Sequence, residues 1–185
     1  MILQNMHDSQ IPPHNLEAEM CVLGSMLLDN DSINLVVPIL SKNSFYKTAH
    51  QELYQAIIDI YDQREMVDLV LLREELKSRS LMEKVGGLEY LMELEEVVPS
   101  ASGVEHYAKI VHENATKRNL IDTAVNIYRQ ASSPSSRAEE LLGVAEKNIF
   151  DMTQRKFDSA PVRINETLRT TYDLMVLRGD QENHI

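Results

Sequence analysis

The chain has 185 residues, of which 43% are hydrophobic and 25% charged, as in an ordinary soluble globular protein. The lack of Trp, the 5% aromatic content and the single Cys favour an all-α protein without disulfides in a reducing compartment. Most of the net charge of −11 falls in residues 1–100, which carry 7 Lys and Arg against 17 Asp and Glu. Direct binding to duplex DNA needs clustered cations and is therefore disfavoured.

The amino-terminal sequence has neither the basic segment nor the apolar segment of a signal peptide. No apolar run approaches the roughly 20 residues needed to span a bilayer. We therefore expect a cytoplasmic protein that makes no membrane contact.

Residues 1–14 are predicted to form a flexible arm and residues 15–102 a compact helical head. Asn15 is expected to cap the first helix, with Glu17 and Glu19 in its first turn, where the helix dipole favours negative charge. The apolar stripe of this core helix is predicted to comprise Leu16, Met20, Leu23 and Leu27.

Three further signals divide the rest of the head. A short helix from about Ser32 is expected to stop near Pro38, and Thr48–Gln51 resembles a capping box that opens a longer helix. Asp68 is a candidate cap for the next helix, and Gly86-Gly87 separates two short helices. Strand-like alternation is not convincing anywhere.

Residues 103–154 are predicted to form a projecting antiparallel helical hairpin. Capping boxes at Ser102–Glu105 and Ser136–Glu139 open helices that run to about Ala131 and about Thr153. The first spans about 42 Å and the second about 27 Å, so they pair over only part of the longer one. The unpaired start of the first helix is expected to root in the head through Val104, Tyr107, Ala108 and Val111.

The two helices of the hairpin have apolar faces of unequal width. At 100° per residue, the apolar residues of the outgoing helix fill an arc of roughly 160°, against roughly 100° for the return helix. The outgoing face comprises Leu120, Ile121, Ala124, Val125, Ile127, Tyr128 and Ala131. The return face comprises Ala138, Leu141, Leu142, Ala145, Ile149 and Met152, with Phe150 off the stripe.

One helix cannot cover a wider apolar face on its partner. Apolar surface that stays open in a projecting hairpin usually marks a partner site, so self-association is predicted. The alternative is a monomer in which the hairpin folds back on the head, and the pattern does not separate the two.

Four segments together resemble the amino-terminal domain of DnaB-type bacterial replicative DNA helicases. They are IPPHNLEAEMCVLGSMLLDN, FYKTAHQELYQAI, GGLEYLMEL and VPSASGVEHYAKIVHENATKRNLI, and they occur in the family's order and spacing within residues 11–178. Each motif is weak alone, but the four in sequence are specific.

The resemblance implies a collar in which hairpins of two subunits pack together and three such dimers sit above a hexameric motor ring. It also implies a surface for the carboxyl-terminal domain of primase, with a helicase loader as a further possible partner. The residues expected to make subunit contacts are Ile121, Val125, Tyr128, Leu141, Leu142 and Ile149. The candidates for contact with primase are Leu120, Ile127 and Phe150.

The resemblance further implies that residues 155–185 form a linker, with a helix at about 162–178 that docks on a neighbouring subunit's motor domain. Pro161 suits its first turn and Gly179 its end. The docking stripe is expected to be Ile164, Leu168, Tyr172 and Met175.

No catalytic, cofactor or metal site is predicted in this chain. The family's motor carries a G-x-x-x-x-G-K-[ST] phosphate loop, and nothing here matches it, so the chain resembles a collar truncated before the motor. ATP, Mg²⁺ and DNA are expected to bind only the missing motor domain. His106 and His112 lie about 240° apart around a helix and do not suit a shared metal. The alternative function is a stand-alone adaptor that binds helicase or primase.

Overall fold

The structure, a computed structural model, describes residues 11–98, 100–133 and 137–154, and within these ranges it contains helices and no strand. The α-helices are α1 (Leu16–Leu28), α2 (Asp31–Val36), α3 (Thr48–Arg64), α4 (Leu69–Ser78), α5 (Gly87–Glu96), α6 (Val104–Ala131) and α7 (Ala138–Gln154). Short 3₁₀ turns occur at Lys42–Ser44 and Ala101–Gly103. The all-α prediction is confirmed. The predictions for residues 1–10 of the arm and for the linker, with Ile164, Leu168, Tyr172 and Met175, lie outside the described residues.

Helix α1 is the centre of the core and contacts α2, α3, α5 and α6. Because neighbours surround it, the helix buries side chains on more than one face, including Val22 and Met26, which the predicted stripe omitted. That stripe was partly wrong, since Leu16 is exposed and Met20 only half-buried. Cys21 of this helix is a buried free cysteine.

Of the five predicted caps, two formed, two did not, and one lies outside the described residues. The Asn15 side chain accepts a hydrogen bond from the Ala18 amide at 2.9 Å, and Asp68 accepts one from the Leu71 amide at 2.7 Å. Both helices therefore begin as predicted.

The Thr48 capping box is wrong, because α3 begins at Thr48 itself, after an extended Lys47 without a side-chain cap. The Gln51 side chain instead donates to the Phe45 carbonyl oxygen at 2.8 Å. At Ser102 the prediction is also wrong. That residue lies in the 3₁₀ turn, and α6 begins at Val104, one residue later than a cap at Ser102 requires. Ser136 lies outside the described residues.

Two long-range hydrogen bonds hold the loop before α4. The Asn30 side chain donates to the Val67 carbonyl at 2.9 Å and accepts from the Val67 amide at 2.8 Å. This pairing imitates a backbone pair and ties the loop to the junction of α1 and α2. In the preceding turn, Glu65 adopts a left-handed conformation with φ of 56°.

Helices α1 and α5 approach closely at Gly24. A methyl group on Gly24 would lie 2.1 Å from the Leu94 carbonyl oxygen and 2.8 Å from the Val98 Cγ2 atom. A glycine is required here because the obstructing atoms include backbone, which cannot rotate away.

Candidate partner-binding hairpin

The first half of α6 is part of the core of the head. Val104, Ala108, Val111 and Ala115 are buried, at spacings of four, three and four that place them on one face of the helix. Tyr107 beside them is half-buried. Val104, Ala108 and Val111 belong to the hydrophobic core of the head, on the part of the helix that was expected to root there.

Arg118 fixes α6 where the helix leaves the head. Its guanidinium donates to the Pro13 carbonyl at 2.7 Å and to the Ser44 carbonyl at 2.6 Å. It also lies 5.7 Å from the centre of the Tyr46 ring, which stacks on His14 at 4.3 Å. Charged donors to backbone carbonyls form strong hydrogen bonds, so Arg118 ties the base of the hairpin to the segment before α1 and to the 3₁₀ turn at Lys42–Ser44.

Desolvation lowers the pKa of the Arg118 guanidinium, and nearby Glu19, Tyr46 and Asp122 act in the opposite direction. An arginine starts so far above neutrality that this decrease leaves it charged. The cation is therefore a permanent part of the hairpin's base.

A network of buried polar side chains lies beneath Arg118. Both side-chain oxygens of Glu19 are used: one accepts from the Tyr46 amide at 2.7 Å, and the other lies 2.6 Å from Nδ1 of His50. Nε2 of His50 lies 2.6 Å from the Tyr90 hydroxyl, which links α3 to α5. A buried carboxylate is tolerated when it is hydrogen-bonded in this way. The prediction that Glu19 serves the helix dipole was incomplete, since the residue is almost wholly buried.

The second half of the hairpin exposes large apolar side chains. Helix α7 packs against α6, and the six-residue connection between them requires an antiparallel arrangement. Among the predicted contact residues the exposed fractions are 66% for Leu142, 58% for Phe150, 52% for Ile149, 51% for Leu120, 43% for Tyr128 and 38% for Ile121. Val144, which was not predicted, is also exposed. The head of the same chain therefore does not cover this surface, contrary to the folded-back alternative.

Three of the predicted contact residues differ from the others. Val125, Ile127 and Leu141 are half-buried, whereas Leu142 and Ile149 lie roughly 80–100° further around α7 than Leu141. Since α7 packs on α6, part of their surface belongs to the contact between the two helices. Their assignment to subunit or primase contact stays a prediction.

Sequence reasoning missed the residues that orient the hairpin. Glu19 and His50 are separated by 31 positions, and Arg118 reaches backbone groups 74 and 105 positions away. No local pattern identifies such partners. The one available signal was a carboxylate inside the apolar run of α1.

The described part of the chain shows no cluster of three or more His, Cys, Asp or Glu that could hold a metal ion. His106 is exposed and His112 half-buried. Within the same residues, no helix combines the length and apolar character needed to cross a membrane.

Comparison with known proteins identifies the protein family to which this helical architecture belongs. Residues 11–113 match the model of the DnaB-like helicase N terminal domain. The crystal structure of the N-terminal domain of DnaB helicase from Mycobacterium tuberculosis is similar with a TM-score of 0.72 and 37% identity, over 76% of this chain and 99% of that one. The chain therefore belongs to the family of DnaB-like helicase N-terminal domains.

Among its relatives, the replicative DNA helicase DnaC of Bacillus subtilis (strain 168) is 40% identical over 166 residues, which are 90% of this chain and 37% of the relative. The chain thus spans about two fifths of the length of the relatives it matches. A DnaB-like replicative helicase, described with its interactions with primase, shares the fold with a TM-score of 0.63 and 23% identity, over 84% of this chain and 35% of that one.

Proposed function

We propose that this chain is the oligomerisation collar and primase-binding module of a replicative DNA helicase. ATP hydrolysis, Mg²⁺ binding and DNA unwinding are assigned to the part of a complete helicase that the relatives have outside the matched stretch. The chain's own role is to join subunits and to recruit a partner.

The observation that carries this proposal is the exposed apolar surface of the hairpin. Six of the nine residues predicted to contact other subunits or primase are exposed, and they lie on two helices that the head does not cover. Large contiguous apolar surface on a soluble protein favours association, because covering it removes it from water.

The anchor at Arg118 supports the same role. A collar needs hairpins that leave the head in one fixed direction, since closed symmetric assemblies repeat a single contact geometry. Two hydrogen bonds from Arg118 to the head and the buried first half of α6 supply that rigidity. Linker docking through residues 162–178 and contact with a helicase loader remain part of the proposal without structural description.

Two apolar areas of the hairpin are assigned to two partners. We assign Leu142, Ile149, Ile121 and Tyr128, with the half-buried Val125 and Leu141, to self-association. Leu120, Ile127 and Phe150 are assigned to primase, supported by the fold shared with a helicase described together with primase. Phe150 suits an anchor role, because it lies roughly 80–100° around α7 from Leu142 and Ile149 and is 58% exposed.

The experiment is a calorimetric titration with the carboxyl-terminal domain of the same organism's primase. Phe150→Ala with Leu120→Ala is expected to weaken binding about ten-fold, as loss of exposed apolar anchors does. The control is Leu35→Ala, which removes an exposed leucine of the head. The assignment is contradicted if the double variant binds like the parent chain, and the primase role itself is contradicted if the parent chain does not bind.

A further inference from the structure

Helix α5 has a solvent-exposed apolar pair that the core does not need. Leu91 and Leu94 are fully buried and close the core on the inner side of the helix. Leu88 and Met92, one turn apart on the outer side, are 44% and 49% exposed. The pair is therefore surplus to the packing of the head.

Carboxylates border this pair on both sides. At 100° per residue, Glu95 lies about 20° from Leu88 on one side, while Glu89, Glu93 and Glu96 follow Met92 within about 100° on the other. Helix α5 contains no Lys or Arg. None of its four carboxylates forms an ion pair with the residues that the structure describes.

Elsewhere in the described residues, ion pairs join cations to carboxylates of the same chain. Six of the thirteen Lys and Arg residues there form such pairs, namely Lys42, Arg73, Lys77, Arg79, Lys109 and Lys117. The outer face of α5 is thus an apolar pair bordered by carboxylates that form no ion pair with the described residues.

We propose that the α5 face, defined as Leu88, Met92, Glu89, Glu93 and Glu96, is a docking surface for a basic amphipathic helix of another protein. Apolar side chains of that helix would cover Leu88 and Met92. Its Lys or Arg residues would pair with the surrounding carboxylates. This contact is separate from the hairpin surface and does not depend on its function.

The negative charge of the α5 face favours a basic helix over a second copy of this chain, a membrane or a nucleic acid. A second copy that used the same face would bring carboxylates against carboxylates across a two-fold axis. Anionic membrane surfaces and nucleic acids carry the same sign of charge as the helix and would be repelled.

The probe is a fluorescent helical peptide of about 18 residues, with leucines on one face and lysines on the other. A matched peptide carries glutamates in place of the lysines. Anisotropy is expected to show that the lysine peptide binds more tightly, with an affinity that falls as salt rises. Equal binding of the two peptides would overturn the proposal.

Variants locate the peptide on the chain. Leu88→Ser with Met92→Ser is expected to weaken the lysine peptide at least about five-fold. The control is Met66→Ser with Val70→Ser, which removes a comparably exposed apolar pair of the head. Both pairs must retain the parent's helical circular dichroism and melting temperature.

A second pair of variants tests the charges. Glu89→Gln with Glu93→Gln is expected to weaken the peptide by a similar factor, while Glu17→Gln with Glu83→Gln, at the same net charge, leaves it within about two-fold. The proposal is overturned if the control pairs weaken binding as much. It is also overturned if only Leu142→Ser with Ile149→Ser weakens it, since the peptide would then lie on the hairpin.

A last arm excludes self-contact. The sedimentation mass of the chain is expected to be the same with and without Leu88→Ser and Met92→Ser. A fall in mass caused by these changes would assign the face to a second copy and overturn the proposal.

Discussion

Replacing Gly24 with alanine should destabilise the protein, although alanine normally favours a helix. In an open helix interior the exchange stabilises by about 0.5–1 kcal/mol. At Gly24 the new methyl group would lie 2.1 Å from the Leu94 carbonyl oxygen, so α5 must move away by about 1 Å before the contact is tolerable. The sign of the effect therefore reports on the distance between the two helices.

The expected magnitude follows from overpacking. Inserting a methyl into a filled core typically costs about 1–3 kcal/mol, and here the obstructing atom is backbone, which favours the upper part of that range. After subtraction of the helix gain, we expect a net loss of roughly 2 kcal/mol in the free energy of unfolding. Urea titration followed by circular dichroism at 222 nm measures it.

Gly143 in α7 is the matched control. A methyl group there would meet no described atom within 4 Å, so Gly143→Ala should leave stability unchanged or raise it by up to about 1 kcal/mol. If Gly24→Ala were as stable as the parent chain, the close packing of α1 on α5 would be refuted.

Three further predictions concern buried polar groups. Glu19→Ala should lower the free energy of unfolding, measured in urea, by about 3–5 kcal/mol, because it leaves buried His50 without its carboxylate partner. Glu17→Ala, at an exposed position, should lower it by under about 1 kcal/mol. Equal losses would contradict the buried hydrogen-bond network of Glu19. Arg118→Met should lower the free energy of unfolding by about 2–3 kcal/mol through two lost charged hydrogen bonds, and an unchanged urea midpoint would contradict the anchor. Burial raises the pKa of Tyr54 to about 12, so the folded chain keeps a proton that the unfolded chain loses above about pH 10, and stability falls as pH rises from 10 towards 12. The free energy of unfolding of the parent should therefore fall relative to that of Tyr54→Phe, which lacks the titrating hydroxyl, between about pH 8 and about pH 11. A difference between the two proteins that stays constant with pH would refute this titration.

The long helices could be predicted because their signals are local. The limits of α6 and α7 agree with the periodic pattern, and the caps at Asn15 and Asp68 formed as expected. The Thr48 and Ser102 capping boxes failed because the motif describes only four residues. The Gln51 side chain does not complete the predicted box at Thr48, because it donates a hydrogen bond to the Phe45 carbonyl oxygen in the preceding loop.

The candidate site was only partly predictable for a related reason. The unequal apolar arcs predicted uncovered surface on the outgoing helix, where Leu120 and Ile121 are exposed. They did not predict the larger exposure of Leu142 and Ile149 on the return helix. The same arcs could not show that Val125 and Leu141 are partly taken up between α6 and α7, because that depends on how the helices rotate about their axes. Arg118 was invisible to sequence because its partners are backbone carbonyls.

The most direct test of the collar is the sedimentation mass of the chain with and without Ile121→Asp and Leu142→Asp. The parent chain is expected to form multiples of its 21.1 kDa mass that grow with concentration. The double variant should sediment near 21.1 kDa with unchanged helical content. Leu35→Asp with Met66→Asp, which adds the same charge to the head, should leave the oligomer intact. A double variant that keeps the parent's mass would contradict association through the hairpin.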